Sequence, residues 1–250
     1  MGNRARIGMF SAMGMLLVAT TWAADVPTGK TGEKTPPATK ADAKAPVDPF
    51  AKWEKAIATF EESDAKNPPQ PGSIIFLGSS SMVRWPLAKS FPDLPVVNRG
   101  FGGSQMHEAA HFARRILKKQ SPKQIILYEG DNDVGSGKTP EQIETAFRKL
   151  MAEIRSDFPQ VPVVLIAIKP SKSRWAKRDT IQQANARLAK VCAELPHCQF
   201  CDIYPLMLGA DGTPNADYYV ADGLHLSAAG YAVWAKQLRP LLISESRKPE

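Results

Sequence analysis

The chain has 250 residues, of which 43% are hydrophobic and 23% charged, with a formal net charge of +7. That length and apolar content suit one sizeable domain and exclude a chain too polar to build a core. Its cations are interspersed rather than gathered into Lys/Arg blocks, so nucleic acid is not an expected partner.

Two of those cations, Arg4 and Arg6, precede an apolar run from Ile7 to Ala19, and Thr21 and Ala23 supply the small residues of a cleavage site. Residues 1–23 therefore read as a signal peptide cleaved after Ala23, and the protein as exported, to the periplasm or the medium. An uncleaved N-terminal anchor is the alternative. The apolar run is short for a transmembrane helix, so no integral span is expected after processing. Residues 24–47 are rich in Pro, Lys, Thr, Ala and Gly with almost no large apolar side chains, and read as a flexible linker. The folded domain is expected over residues 48–245.

Along that domain, Asp48 can cap a helix from Pro49 to Asp64 that carries Phe50, Trp53, Ile57 and Phe60 on one face. Prolines 68, 69 and 71 break it. Apolar strands then alternate with amphipathic helices. The strands are expected at Ser73–Leu77, Pro95–Asn98, Gln124–Tyr128, Val161–Ile168 and Gln199–Ile203. The helices are expected at Gln105–Lys119, Thr139–Phe158, Ser173–Glu194 and Ser227–Leu242. Strands separated by helices of this length imply crossover connections and a parallel sheet covered on both faces. The expected fold is a three-layer α/β/α sandwich with a five-stranded parallel sheet.

Export would place Cys192, Cys198 and Cys201 in an oxidising compartment, and an odd count leaves at least one thiol unpaired. Cys192–Cys198 is the favoured disulfide, because Cys201 lies in an apolar run that should be buried.

Four loops gather small and polar residues: Gly78-Ser79-Ser80-Ser81, Asn98-Arg99-Gly100-Phe101-Gly102-Gly103, Gly130-Asp131-Asn132-Asp133 and Asp222-Gly223-Leu224-His225. The first three follow strands, so a parallel sheet collects them at its carboxyl edge, where ligands bind in such folds. Together they hold the parts of acyl transfer. A serine hydroxyl needs a base, which His225 can be. The imidazole needs a carboxylate to set its tautomer, which Asp222 can be. A developing oxyanion needs aimed donors, which the Asn132 amide and the backbone N–H groups of Gly103 and Ser80 can be.

These blocks resemble the SGNH subgroup of the GDSL esterase/lipase superfamily, from about Ile74 to Trp234. The resemblance implies a flavodoxin-like SGNH hydrolase fold with Ser80 as nucleophile, Asp222 and His225 completing a triad, and Ser80, Gly103 and Asn132 forming the oxyanion hole. It implies no cofactor and no metal, and a small-molecule, glycan or lipid ester as substrate. The oligomeric state is not legible. One residue departs from the family pattern: Ser79 stands where the first block usually has Asp, which leaves Ser79 and Ser81 as rival nucleophiles by register.

Two other readings compete with a serine esterase. A non-catalytic, carbohydrate-binding module could retain the blocks for structure. His107-Glu108-Ala109-Ala110-His111 is a literal zinc-protease spacing, although Arg114 stands where the extended motif needs glycine and no third histidine follows. Arg84 with Trp85, Arg174 with Trp175, and Tyr218 with Tyr219 flank the candidate blocks, either as pocket walls or as packing.

Overall fold

Apolar side chains on both faces of the central strands explain how the sheet is covered. The computed structural model describes residues 48–243, so the expected signal peptide and linker, residues 1–23 and 24–47, lie outside the described residues. Five strands form one parallel sheet: β1 (Ile74–Gly78), β2 (Val96–Gly100), β3 (Gln124–Tyr128), β4 (Val163–Ile166) and β5 (Cys198–Cys201). Their order is β2-β1-β3-β4-β5. Ile75, Leu77, Ile125, Leu127, Val163 and Leu165 point to one face, and Ile74, Phe76, Ile126, Tyr128, Val164 and Ile166 to the other. Both sets are buried, which is why these strands read as unbroken apolar runs rather than alternating ones.

Among the described residues eight α-helices complete the layers: α1 (Glu54–Lys66), α2 (Ser80–Val83), α3 (Leu87–Ser90), α4 (Met106–Leu117), α5 (Asp131–Gly135), α6 (Pro140–Asp157), α7 (Arg178–Glu194) and α8 (Ala228–Leu238). One core places Ile57 of α1, Phe112 of α4, Phe147 of α6 and Leu188 of α7 under the first face. The other places Met82, Phe91, Tyr231 and Trp234 under the second. Each fully buried large side chain contributes roughly 1.5–3 kcal/mol by leaving water, so the two clusters dominate stability.

Local chemistry sets the element ends. Thr139 and Gln142 form a reciprocal capping box ahead of Pro140, which starts α6 one residue after the expected position. Asp48 Oδ1 accepts from the Phe50 N–H at 2.9 Å, but the chain first makes a 3₁₀ turn, Ala51–Trp53, and α1 follows from Glu54. A second 3₁₀ segment, Lys172–Lys177, precedes α7 where one continuous helix is expected. Strand β2 extends past the expected Asn98 to Gly100 because Arg99, nearly buried, is neutralised by Asp64 of α1. Strand β4 is shorter than Val161–Ile168: beyond it, the Asn185 side chain of α7 takes both the N–H and the C=O of Ile168.

The cysteines differ from expectation. Cys192, Cys198 and Cys201 are free thiols, so the Cys192–Cys198 disulfide is not formed. The two sulfurs instead share a hydrogen bond, which pushes the Cys192 thiol up and draws the Cys198 thiol down. Cys201 is buried as expected, and burial pushes its thiol up to about 12.

Candidate active site

The chain reverses its direction of spread at β1. It runs from β1 outward to β2, then returns across β1 to β3, so the carboxyl end of β1 is a topological switch point of the kind that leaves a crevice. Gly78 ends β1 there. A Cβ on it would meet the Tyr128 carbonyl oxygen at 2.1 Å, so only glycine lets the neighbouring strand pass this closely. The chain then turns directly into α2, whose first residue is Ser80.

The three serines have different surroundings. Ser79 and Ser81 are 2% and 1% exposed, whereas Ser80 is half-buried. Ser79 does not cap α2 with its side chain, and its N–H donates to the Tyr128 carbonyl. Only Ser80 reaches the histidine: its Oγ lies 2.9 Å from His225 Nε2, and His225 Nδ1 lies 2.6 Å from Asp222 Oδ2. With the Nδ1 proton donated to the carboxylate, Nε2 is left as the acceptor for the Ser80 hydroxyl.

Asp222 does this while holding its own loop. Its Oδ1 accepts from the N–H groups of both Leu224 and His225 at 2.9 Å. The His225 ring, followed by these backbone donors, holds the Asp222 carboxyl well below the usual range. The loop is braced from outside by Ser173, whose N–H donates to the Gly223 carbonyl, and by the Lys172 stem against Gly223.

The other two blocks meet across β1. Gly102 lies close enough that a Cβ on it would be 3.9 Å from the Ser80 Cβ. Gly103 follows with φ +83, a left-handed conformation that glycine adopts without strain, and its Cα faces the Trp53 ring. Neither the Ser80 nor the Gly103 N–H donates to another backbone group among the described residues. Asn132, in α5, donates from Nδ2 to the Ser104 carbonyl at 2.9 Å, which ties the third block to the second and leaves one amide hydrogen free.

Buried polar contacts fix the Asn132 segment. Lys169, fully buried at the end of β4, pairs with Asp131 at 2.6 Å and donates to the Tyr128 hydroxyl at 3.0 Å. Asp133 accepts from the Met106 N–H at 3.0 Å, and burial pushes its carboxyl up to about 6. The Glu129 side chain accepts from the Ser104 hydroxyl at 2.6 Å. Sequence reasoning placed Trp53 only on a helix face and gave no role to Ser104, Glu129 or Lys169, whose partners lie on other elements.

The flanking pairs divide. Trp85 is buried and stacks with Tyr231, and Tyr219 is buried with its hydroxyl donating to the Pro170 carbonyl, so both serve packing. Arg84 is exposed, and Arg174 lies over Gly135 with its Nε 3.9 Å from Asp131.

The zinc spacing is used otherwise. Glu108 is 3% exposed, completes the capping box of α4 through the Gln105 N–H, and pairs with Lys52 at 2.7 Å. His111 stacks on Phe50 at 3.7 Å, and His107 lines a separate cavity of about 390 Å³ with Asp133 and Lys138. Glu108 and His111 thus serve capping and packing on this helix face.

Residues 77–233 match the GDSL-like Lipase/Acylhydrolase family. No curated protein matches the chain significantly. Among solved structures, the fold is similar to that of a protein from Streptococcus pneumonia described as a platelet activating factor, with 23% identity over 77% of this chain and 93% of that one and a TM-score of 0.70. It is also similar to a GDSL-like lipase from Bacteroides thetaiotaomicron VPI-5482, at 19% identity over 74% and 97% of the two chains and a TM-score of 0.60. A third is the Clostridium thermocellum family 3 carbohydrate esterase, at 16% identity over 68% and 94% and a TM-score of 0.56. The chain therefore belongs to the GDSL-like lipase/acylhydrolase family and is a carboxylic ester hydrolase.

Proposed function

We propose that the protein is an exported serine esterase that works through an acyl-enzyme and removes short acyl or acetyl groups from glycans or lipids. The observation that carries the mechanism is the hydrogen-bonded line from Asp222 through His225 to Ser80. His225 Nε2 takes the hydroxyl proton as Ser80 Oγ bonds to the ester carbon, and the carbonyl π pair moves onto oxygen. That oxyanion is received by the N–H groups of Ser80 and Gly103 and the free amide hydrogen of Asn132. Its collapse breaks the bond to the alcohol, which leaves with the proton from His225. Water then attacks the acyl-enzyme, His225 takes and returns its proton, and the acid departs. Asp222 holds the imidazole tautomer and balances the imidazolium charge. No step calls for a metal or cofactor.

Val83, in the helix that Ser80 opens, and Val220, next to the His225 loop, are large hydrophobic side chains left exposed, which supports a substrate with an apolar portion. The similar fold of a carbohydrate esterase keeps acetylated glycans in view. Export rests on the Arg4, Arg6 and Thr21-Trp22-Ala23 pattern, and a mature N-terminus at Ala24 is the outcome that supports it.

A fluorophosphonate probe followed by peptide mass spectrometry tests the chemistry. A single adduct on Ser80, absent in Ser80→Ala, is expected. No adduct on active, folded protein overturns the serine mechanism, and no adduct with no turnover favours the carbohydrate-binding module. Asn132→Ala should lower kcat for a short-chain ester by about 10²–10³, the size of one lost oxyanion donor. Near-wild-type turnover would remove Asn132 from its role.

A further inference from the structure

Glu129 is the first residue after β3 and is 1% exposed. The charged groups that act on it most strongly after burial are carboxylates, Asp133, Glu108 and Asp131, and together with burial they push its carboxyl well above the usual range. One oxygen, Oε1, accepts from the Ser104 hydroxyl at 2.6 Å, and Oε2 has no hydrogen-bond partner among the described residues. A buried acid with a single hydrogen bond is a costly way to fill space, because its second oxygen loses water and gains nothing.

The Ser104 hydroxyl that it holds belongs to a residue with two further tasks. Ser104 directly follows Gly103, and its carbonyl accepts from Asn132 Nδ2 at 2.9 Å. A primary amide has two hydrogens on that nitrogen. Once Ser104 takes one, the amide plane is set and the second hydrogen has a fixed direction. A donor that is already aimed when charge develops on the substrate is what makes such groups effective.

We propose that Glu129 and Ser104 are positioning residues of the oxyanion site: Glu129 pins the Ser104 hydroxyl so that the Ser104 carbonyl orients Asn132 towards the substrate oxygen. This rests on the esterase reading and assigns it two residues outside the family's four blocks. Gly103 and Asn132 then behave as one hydrogen-bonded unit, with a link to the end of β3.

The test uses the full chain and a short-chain ester. Glu129→Leu and Ser104→Ala should each lower kcat about tenfold or more with KM changed less than about twofold, while Glu129→Gln, which keeps an acceptor for the Ser104 hydroxyl, should retain most of kcat. In an Asn132→Ala background, Glu129→Leu should have no further effect on kcat, whereas a merely structural loss would multiply with it. An activity-independent readout accompanies these: the Asn132 side-chain amide protons, followed by ¹⁵N NMR, should exchange slowly in wild type and Glu129→Gln, and faster in Glu129→Leu and Ser104→Ala. Wild-type kcat in both Ser104→Ala and Glu129→Leu, or unchanged amide exchange in folded variants, overturns the proposal. If wild type turns over no ester but the exchange pattern is as expected, the esterase reading fails while the positioning link stands.

Discussion

Asp222 uses its two oxygens differently, and that difference yields a prediction at the residue scale. Oδ2 faces His225 Nδ1, while Oδ1 ties down two backbone N–H groups. Asp222→Asn keeps an acceptor for the backbone, so the loop geometry should survive. Its new NH₂ faces Nδ1 and forces the proton to Nε2, where it points at Ser80 instead of accepting from it. Loss of about 10³–10⁴ in kcat is expected, with KM and thermal stability little changed; a variant retaining more than a tenth of wild-type kcat would remove Asp222 from the relay. The residue scale is also where the chain was most legible. Ser80, Gly103, Asn132, Asp222 and His225 stood out because acyl transfer needs these groups, and the structure brings Ser80, Asp222 and His225 into one line. Sequence named Ser80 and left Ser79 and Ser81 as rivals, because a strand end read from sequence is uncertain by a residue and each slip exchanges inside for outside.

At the scale of elements, the long helices and the strands followed from periodicity, whereas the short helices did not. Helices α2 and α5 span Ser80–Val83 and Asp131–Gly135, about one turn each, too short for any pattern to show. They exist because the chain leaves a buried strand and must turn at once under neighbouring elements, and they carry Ser80 and Asn132. A second feature at this scale is the clamp between α1 and the edge strand β2. Arg99 and Asp64 have side chains 9% and 6% exposed, and Gln120 adds a hydrogen bond to Asp64 at 2.7 Å. Asp64→Ala leaves the guanidinium buried without its counter-charge, and should cost about 3–5 kcal/mol in urea unfolding at unchanged m-value. Loss below about 1 kcal/mol would show that Arg99 finds water or another partner.

For the whole molecule, the buried acids near the site shape the response to pH. Asp133 is raised from its ordinary 3.8 to about 6 by burial. The folded chain thus binds this proton more tightly than the unfolded one, so the group favours folding most below about pH 4, and that contribution is lost as pH rises through 6. Asp133→Asn keeps an acceptor for the Met106 N–H and removes the titration. Its stability relative to wild type should therefore rise between pH 4 and pH 7, by at most about 3 kcal/mol, read as a growing difference in Tm. A constant difference across that range would show that Asp133 is not raised. The sequence by itself determined the class of fold, because β-branched runs separated by amphipathic helices can bury both sheet faces only as a parallel sandwich. It also determined the residue types of the chemistry. Only the tertiary structure separated Ser80 from its rivals Ser79 and Ser81, gave Glu108 and His111 their capping and packing partners, left Cys192 and Cys198 as thiols, and showed that Lys169, Ser104 and Glu129 fasten the Asn132 loop. The physical reason is range: these outcomes depend on contacts between groups up to 145 positions apart, as for Ser80 and His225, and no local periodicity encodes such distances.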